Sequence, residues 1–289
     1  MNVYEVVTEK LIEAMQAGRI PWRQPWKGSA RGSLLPCNQL TGKMYRGINV
    51  WLLSCAPYDS KGWITFNQAK ELGGHVRKGE KGWPIVFWKF DPKPDPRTGK
   101  DERFCFMRSY TVFNVEQVDG LPAELPFEEP AFDSIGAADE VVSGYFNRPG
   151  SPSLHHGGGS AYYMPSKDEV VMPVPASFIE PAAYYSTLFH EMGHSTGPRL
   201  NRPMGGHTGS RDYSKEELIA EFTAAFLSAE CGISNELTER NSTAYLQSWI
   251  SALRNDKTLA VSAAQKAQRA ADLIQGRVTV EAEPESVAA

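Results

Sequence analysis

The chain has no uninterrupted apolar run near the ~20 residues that a membrane-crossing helix requires, so no membrane partner is expected. Its first residues, Met1-Asn2-Val3-Tyr4-Glu5, lack the basic stretch and apolar core of a secretory signal. Cysteine is scarce: Cys37, Cys55, Cys105 and Cys231 show no C-x-x-C spacing. That excludes a zinc knuckle or a paired redox motif and fits a reducing cytoplasm, the expected location. Internal repeats are absent, as are helix-turn-helix, zinc-finger and RRM signatures, which argues against sequence-specific duplex reading.

The formal charge of -4 conceals a division. Residues 1–120 carry 18 Lys and Arg against 12 Asp and Glu, while the remaining 169 carry 12 against 22. The first stretch is therefore basic and the second acidic. Six of the seven tryptophans also fall in the basic stretch, so flat rings and cations are concentrated together.

The acidic stretch holds the most specific motif, His190-Glu191-Met192-Gly193-His194. On a helix, residues four apart project from one face, so both imidazoles can reach one tetrahedral metal ion, most often Zn²⁺. Glu191 beside the open coordination position is the candidate catalytic residue, a general base for a water that the metal acidifies. Gly193 inside this helix costs about 1 kcal/mol against Ala, which fits a site where another backbone comes close. Gly197-Pro198 then stops the helix. The competing interpretation is two surface histidines on an amphipathic helix.

A third ligand is expected from a second helix, and residues 214–227 supply it. Ser214 reads as an N-cap with Glu217 at the capping-box position, and Leu218, Phe222, Ala225 and Phe226 form an apolar stripe. Glu217 and Glu221 lie four apart, where like charges repel unless a cation intervenes. Glu217 is the preferred ligand, with Glu221 orienting a ligand histidine, and the reverse assignment stays open. His207 is a rival ligand in a glycine-rich loop. Tyr213 could stabilise an oxyanion or simply pack.

In the basic stretch, residues 3–18 carry Val3, Val6, Val7, Leu11, Ile12 and Met15 at helical spacing, closed by Gly18. Residues 48–53 and 63–69 each predict a short strand or helix. Strands are expected over 83–90 and 104–113, joined by a proline-bearing loop over 91–99. Further on, 133–146 predicts a helix, 161–174 a β-rich stretch, and 245–254 and 259–274 helices. Basic and aromatic residues alternate at Trp22-Arg23, Trp26, Lys43, Tyr45-Arg46, Arg77-Lys78 and Lys81. Cations that neutralise phosphates beside rings that stack on unpaired bases, at ~1–3 kcal/mol per base, are what single-stranded nucleic acid requires. The bland interpretation places those rings in a core.

Several segments in order resemble the ArdC antirestriction family, which is carried by conjugative plasmids. They are residues 3–8 leading to 20–26, then 41–49, 63–69, 73–82 and 110–115. The second half continues the resemblance at 165–173, the H-E-x-x-H helix with Thr196-Gly197, Arg199-Leu200, and 216–221. The resemblance covers roughly residues 3–275. It implies an α+β fold in two domains: a small α+β domain that binds single-stranded DNA, then a zincin-like metallopeptidase domain. The expected limits are 1–120 and 133–277, with a linker at 121–132 and a flexible tail at 278–289. It also implies protection of incoming plasmid DNA from host restriction during conjugation, and a Zn²⁺ or similar divalent ion such as Mn²⁺. Metal ligands would be His190, His194 and Glu217. A host restriction enzyme or another host protein is a further candidate partner. The alternative expectation is an active metallopeptidase that cleaves a host protein, its basic domain serving only for recruitment.

Overall fold

The computed structural model describes residues 2–22, 33–94, 101–122, 133–204, 211–233 and 243–277, with the backbone alone at 89–94, 101–106, 211–213 and 243–246. The expected linker falls mostly outside these residues, as do the tail at 278–289, His207, Arg23 and Trp26. None of the described helices is long and apolar enough to cross a membrane.

The first helix, α1 (Val3–Gln16), begins with a capping box in which Glu5 accepts the Asn2 N–H at 3.0 Å. It ends where Gly18 turns to φ +78, a left-handed conformation that glycine adopts without strain. The ambiguous segment at 48–53 is helix α2 (Ile48–Ser54), and the one at 63–69 divides into strand β2 (Gly62–Ile64) and helix α3 (Phe66–Glu71). Thr65 makes that division: its hydroxyl caps Gln68 N–H, and the Gln68 side chain accepts the Thr65 N–H.

With β1 (Cys37–Asn38), β4 (Trp83–Pro94) and β5 (Asp101–Asn114), β2 forms a four-stranded sheet in the order β1-β2-β5-β4. A separate pair joins β3 (His75–Val76) to β6 (Val118–Asp119). Strand β4 runs further than expected, through residues assigned to a loop, with Pro94 paired to Asp101. The reason is parity. Pro84, Pro92 and Pro94 share it with Val86, whose N–H and C=O face away from β5 and are bonded instead by the Asn49 side chain at 2.7 and 2.8 Å. Prolines whose missing N–H points off an edge strand leave the ladder intact.

The second half contains α4 (Ser134–Phe146), capped by Asp133, and a small sheet in the order β7-β9-β8. Its strands are β7 (Ser153–His156), β8 (Tyr162–Met164) and β9 (Glu169–Met172). Four helices follow: α5 (Pro181–Ser195), α6 (Arg211–Glu230), α7 (Thr243–Asn255) and α8 (Leu259–Ile274). The helix α6 starts one turn before the expected Ser214 N-cap, because nothing in Arg211-Asp212-Tyr213 breaks the helical run. The Ser214–Glu217 capping box therefore does not form the helix start.

One hydrophobic core joins the basic and acidic parts. Trp22 meets Phe222 edge-on at 4.9 Å and Trp249 at 6.4 Å, and Trp51 stacks on Phe226 at 4.6 Å. Across the same boundary, Arg46 pairs with Asp272 of α8 at 2.5 Å.

Candidate metal centre

The helix α5 carries His190, Glu191 and His194, and α6 packs along it. Gly193 sets how closely the two helices approach. A Cβ there would lie 3.1 Å from Ala220 Cα and 3.2 Å from Thr223 Cβ. Gly193→Ala is expected to cost about 1 kcal/mol net in urea denaturation, overpacking against the α6 backbone outweighing the gain in helix propensity.

That approach brings three donors together. His190 Nε2 and His194 Nε2 are 3.1 Å apart, and the Glu217 carboxylate lies 3.6 Å from each of them. Two ligands at Zn–N distances around one tetrahedral ion sit ~3.3 Å apart. The donor set therefore has the spacing and chemistry for a single divalent cation. Burial alone would lower the His190 pKa, but the Glu217 contact and the charges of Glu221 and Glu191 outweigh it and raise the value. A field that holds a proton on a buried imidazole also favours a metal cation.

Glu221, the alternative ligand, lies one turn beyond Glu217 and acts on His190 through its charge. Glu191 is 8 % exposed, enclosed beside the two histidines. The side chain of Tyr213 lies outside the described residues.

A carboxylate that sequence reasoning passed over, Glu216, stands 3.4 Å from His194 Nδ1. Burial works to raise its pKa, while His194 and Arg202 pull the other way and hold it below the usual carboxylate range. Behind the helix, Ser195 bonds Tyr145 at 2.9 Å, and Arg199 grips Asp168 at 2.6 and 3.0 Å and the Ser195 carbonyl at 2.7 Å. These bonds tie the C-terminal end of α5 to α4 and to the turn between β8 and β9.

The proposed DNA-contacting residues divide sharply. Trp22 and Tyr45 are buried, at 3 and 8 % exposure, because their rings fill the core, so neither offers a face to a base. Arg46 is engaged with Asp272, and Arg77 with Glu80 at 2.7 Å and Asp119 at 3.5 Å. Lys43, Lys78 and Lys81 are exposed. An aromatic residue not singled out from the sequence, Phe66, is 48 % exposed, with Lys70 Nζ 5.0 Å above its ring.

Residues 1–113 match the family described as the N-terminal domain of anti-restriction factor ArdC, and residues 145–266 match a zincin-like metallopeptidase family. DNA primase TraC of Escherichia coli is 35 % identical over 94 % of the chain. The match covers 20 % of that primase and 27 % of a second protein of the same name, so the chain spans only a fifth to about a quarter of their lengths. The metal-free crystal structure of the antirestriction protein ArdC from plasmid R388 superposes with a TM-score of 0.76 at 36 % identity, covering 96 % of this chain and 98 % of that one. Its Mn(II)-bound form gives 0.74 at 36 %, covering 97 and 99 %. With both halves matched in order and nearly the whole length shared, the chain belongs to the ArdC antirestriction family.

Proposed function

We propose that this protein binds single-stranded DNA through its basic half, residues 1–120. In this reading it shields entering plasmid DNA from host restriction enzymes in the recipient cytoplasm during conjugation. Residues 133–277 hold a divalent ion on His190, His194 and Glu217. Zinc suits two imidazoles and a carboxylate in tetrahedral spacing, and the Mn(II)-bound R388 structure supports manganese as an alternative. The observation that carries the proposal is the full-length match to the R388 antirestriction protein, with the His-His-Glu donor set assembled in the second half.

The DNA-binding surface in this reading centres on Phe66 and Lys70 of α3, with Arg77 and Lys78 beyond β3, which packs against α3. An exposed ring flanked by cations is suited to stack a base while neutralising its phosphates. Phe66→Ala is expected to weaken single-stranded DNA binding about tenfold, and wild-type affinity to fall steeply with salt, both read by fluorescence anisotropy. No affinity at low salt would sink the proposal.

A second reading, an active peptidase, is favoured by the enclosed position of Glu191 beside the donor set. The ion would polarise a peptide carbonyl, and Glu191 would accept the proton of the attacking water. A conjugation assay into a restricting host separates the two. If protection rests on DNA binding, Glu191→Gln retains it and the pair Arg77→Glu/Lys78→Glu loses it. Loss on Glu191→Gln alone, with metal still bound, assigns protection to cleavage of a host protein.

A further inference from the structure

We infer that Arg202 and Glu216 form a positioning pair that fixes the tautomer and orientation of His194, holding its Nε2 toward His190 and Glu217. The consequence for metal affinity rests on the reading of those three residues as ligands.

The two nitrogens of His194 face different partners. Nε2 looks toward His190 and Glu217, while Nδ1 faces Glu216 Oε1 at 3.4 Å. An imidazole whose Nδ1–H donates to a carboxylate keeps its Nε2 lone pair free and its ring plane fixed. Glu216 can do this only if it cannot turn away, and Arg202 prevents it from turning. The guanidinium donates from Nε to Oε2 at 3.0 Å and from Nη2 to Oε1 at 2.7 Å, a two-point grip on a buried carboxylate.

Arg202 is itself held. Its Nη1 donates to Thr196 Oγ1 at 2.7 Å and its Nη2 to the Gly193 carbonyl at 2.8 Å. Both acceptors lie at the C-terminal end of α5, where positive charge is favoured. The planar guanidinium thus joins the end of the histidine-bearing helix to the glutamate that meets His194. Lys, with one ammonium, could not reproduce that fork. Sequence reasoning gave the role of orienting a ligand histidine to Glu221, whose charge acts on His190, and did not single out Glu216.

The test uses the full chain. Nitrogen NMR of the imidazoles at pH 8, with metal removed, reads the His194 tautomer directly. The wild type is expected to hold the proton on Nδ1; a proton held on Nε2 instead overturns the inference without any variant. Glu216→Gln alone would strand the buried Arg202 charge, so the informative variant is Glu216→Gln/Arg202→Met, with its fold checked by melting in chelator. It is expected to populate both tautomers and to bind Mn(II) and Zn(II) 10- to 100-fold more weakly in calorimetric titration. An unchanged tautomer, or metal affinity within threefold of wild type, overturns it. Arg202→Lys keeps the buried charge and serves if the pair variant does not fold. Its expected result is the same loss of tautomer order with a smaller drop in affinity, and an unchanged tautomer again overturns the inference. A wild type that holds the Nδ1 proton yet binds neither metal would refute the ligand assignment and leave the positioning of His194 standing.

Discussion

Trp51→Ala is expected to lower the free energy of unfolding by about 3–5 kcal/mol, as large a loss as any core truncation, although Trp51 belongs to the half read as a DNA-binding surface. Its ring lies nearly parallel to Phe226, 6° between planes, and tilts onto Phe222 at 5.3 Å. Both partners are on α6, the helix that carries Glu217 on another face. Urea denaturation followed by probes in each half should show both moving together to lower denaturant. A shift confined to the N-terminal probe would show that the shared core does not couple the halves. Trp22→Ala is the companion test: it should cost similar stability while leaving the DNA affinity of the folded protein intact. Lost affinity with unchanged stability would return Trp22 to a base-stacking role.

The histidine pair is readable from sequence because four-residue spacing on a helix is a local property, needing no knowledge of tertiary structure. The choice between Glu217 and Glu221 is of another kind. Both lie on one face of α6, and only the register between α5 and α6 separates them. That register is set where Gly193 admits the Ala220 backbone, and the glycine alone announces a close approach without saying what approaches. Glu216 was illegible for a related reason: its role depends on Arg202 folding back from a loop onto the end of α5. Trp22 failed differently. A ring that stacks on a base and a ring that fills a core have the same chemistry, and only exposure distinguishes Trp22 from Phe66. The prolines of β4 carried more information than expected, since their even spacing was already the pattern of an edge strand.

Glu217→Ala is expected to weaken divalent metal binding about 100-fold, with His190→Ala and His194→Ala at least as severe. Structural zinc sites bind with ~10–16 kcal/mol over four ligands, or about 3 kcal/mol for each. Glu221→Ala, which removes a charge near His190 but leaves the three donors in place, should cost far less. Calorimetric titration with Mn(II) and Zn(II) orders the series, and equal losses at Glu217 and Glu221 would mean that both carboxylates reach the ion. The same ranking should appear in stability, because an ion that binds only the folded chain stabilises it by about 2.7 kcal/mol at a hundredfold excess over Kd. For a chain of this size that is a rise in Tm of about 5 °C on adding metal. At the same metal concentration Glu217→Ala should lose nearly all of that rise. Since α6 also seats Trp22 and Trp51, the metal-dependent shift should be felt by probes in the basic half as well as beside the histidines. A rise confined to the second half would show that the ion stabilises its own domain without reaching the surface proposed to hold DNA.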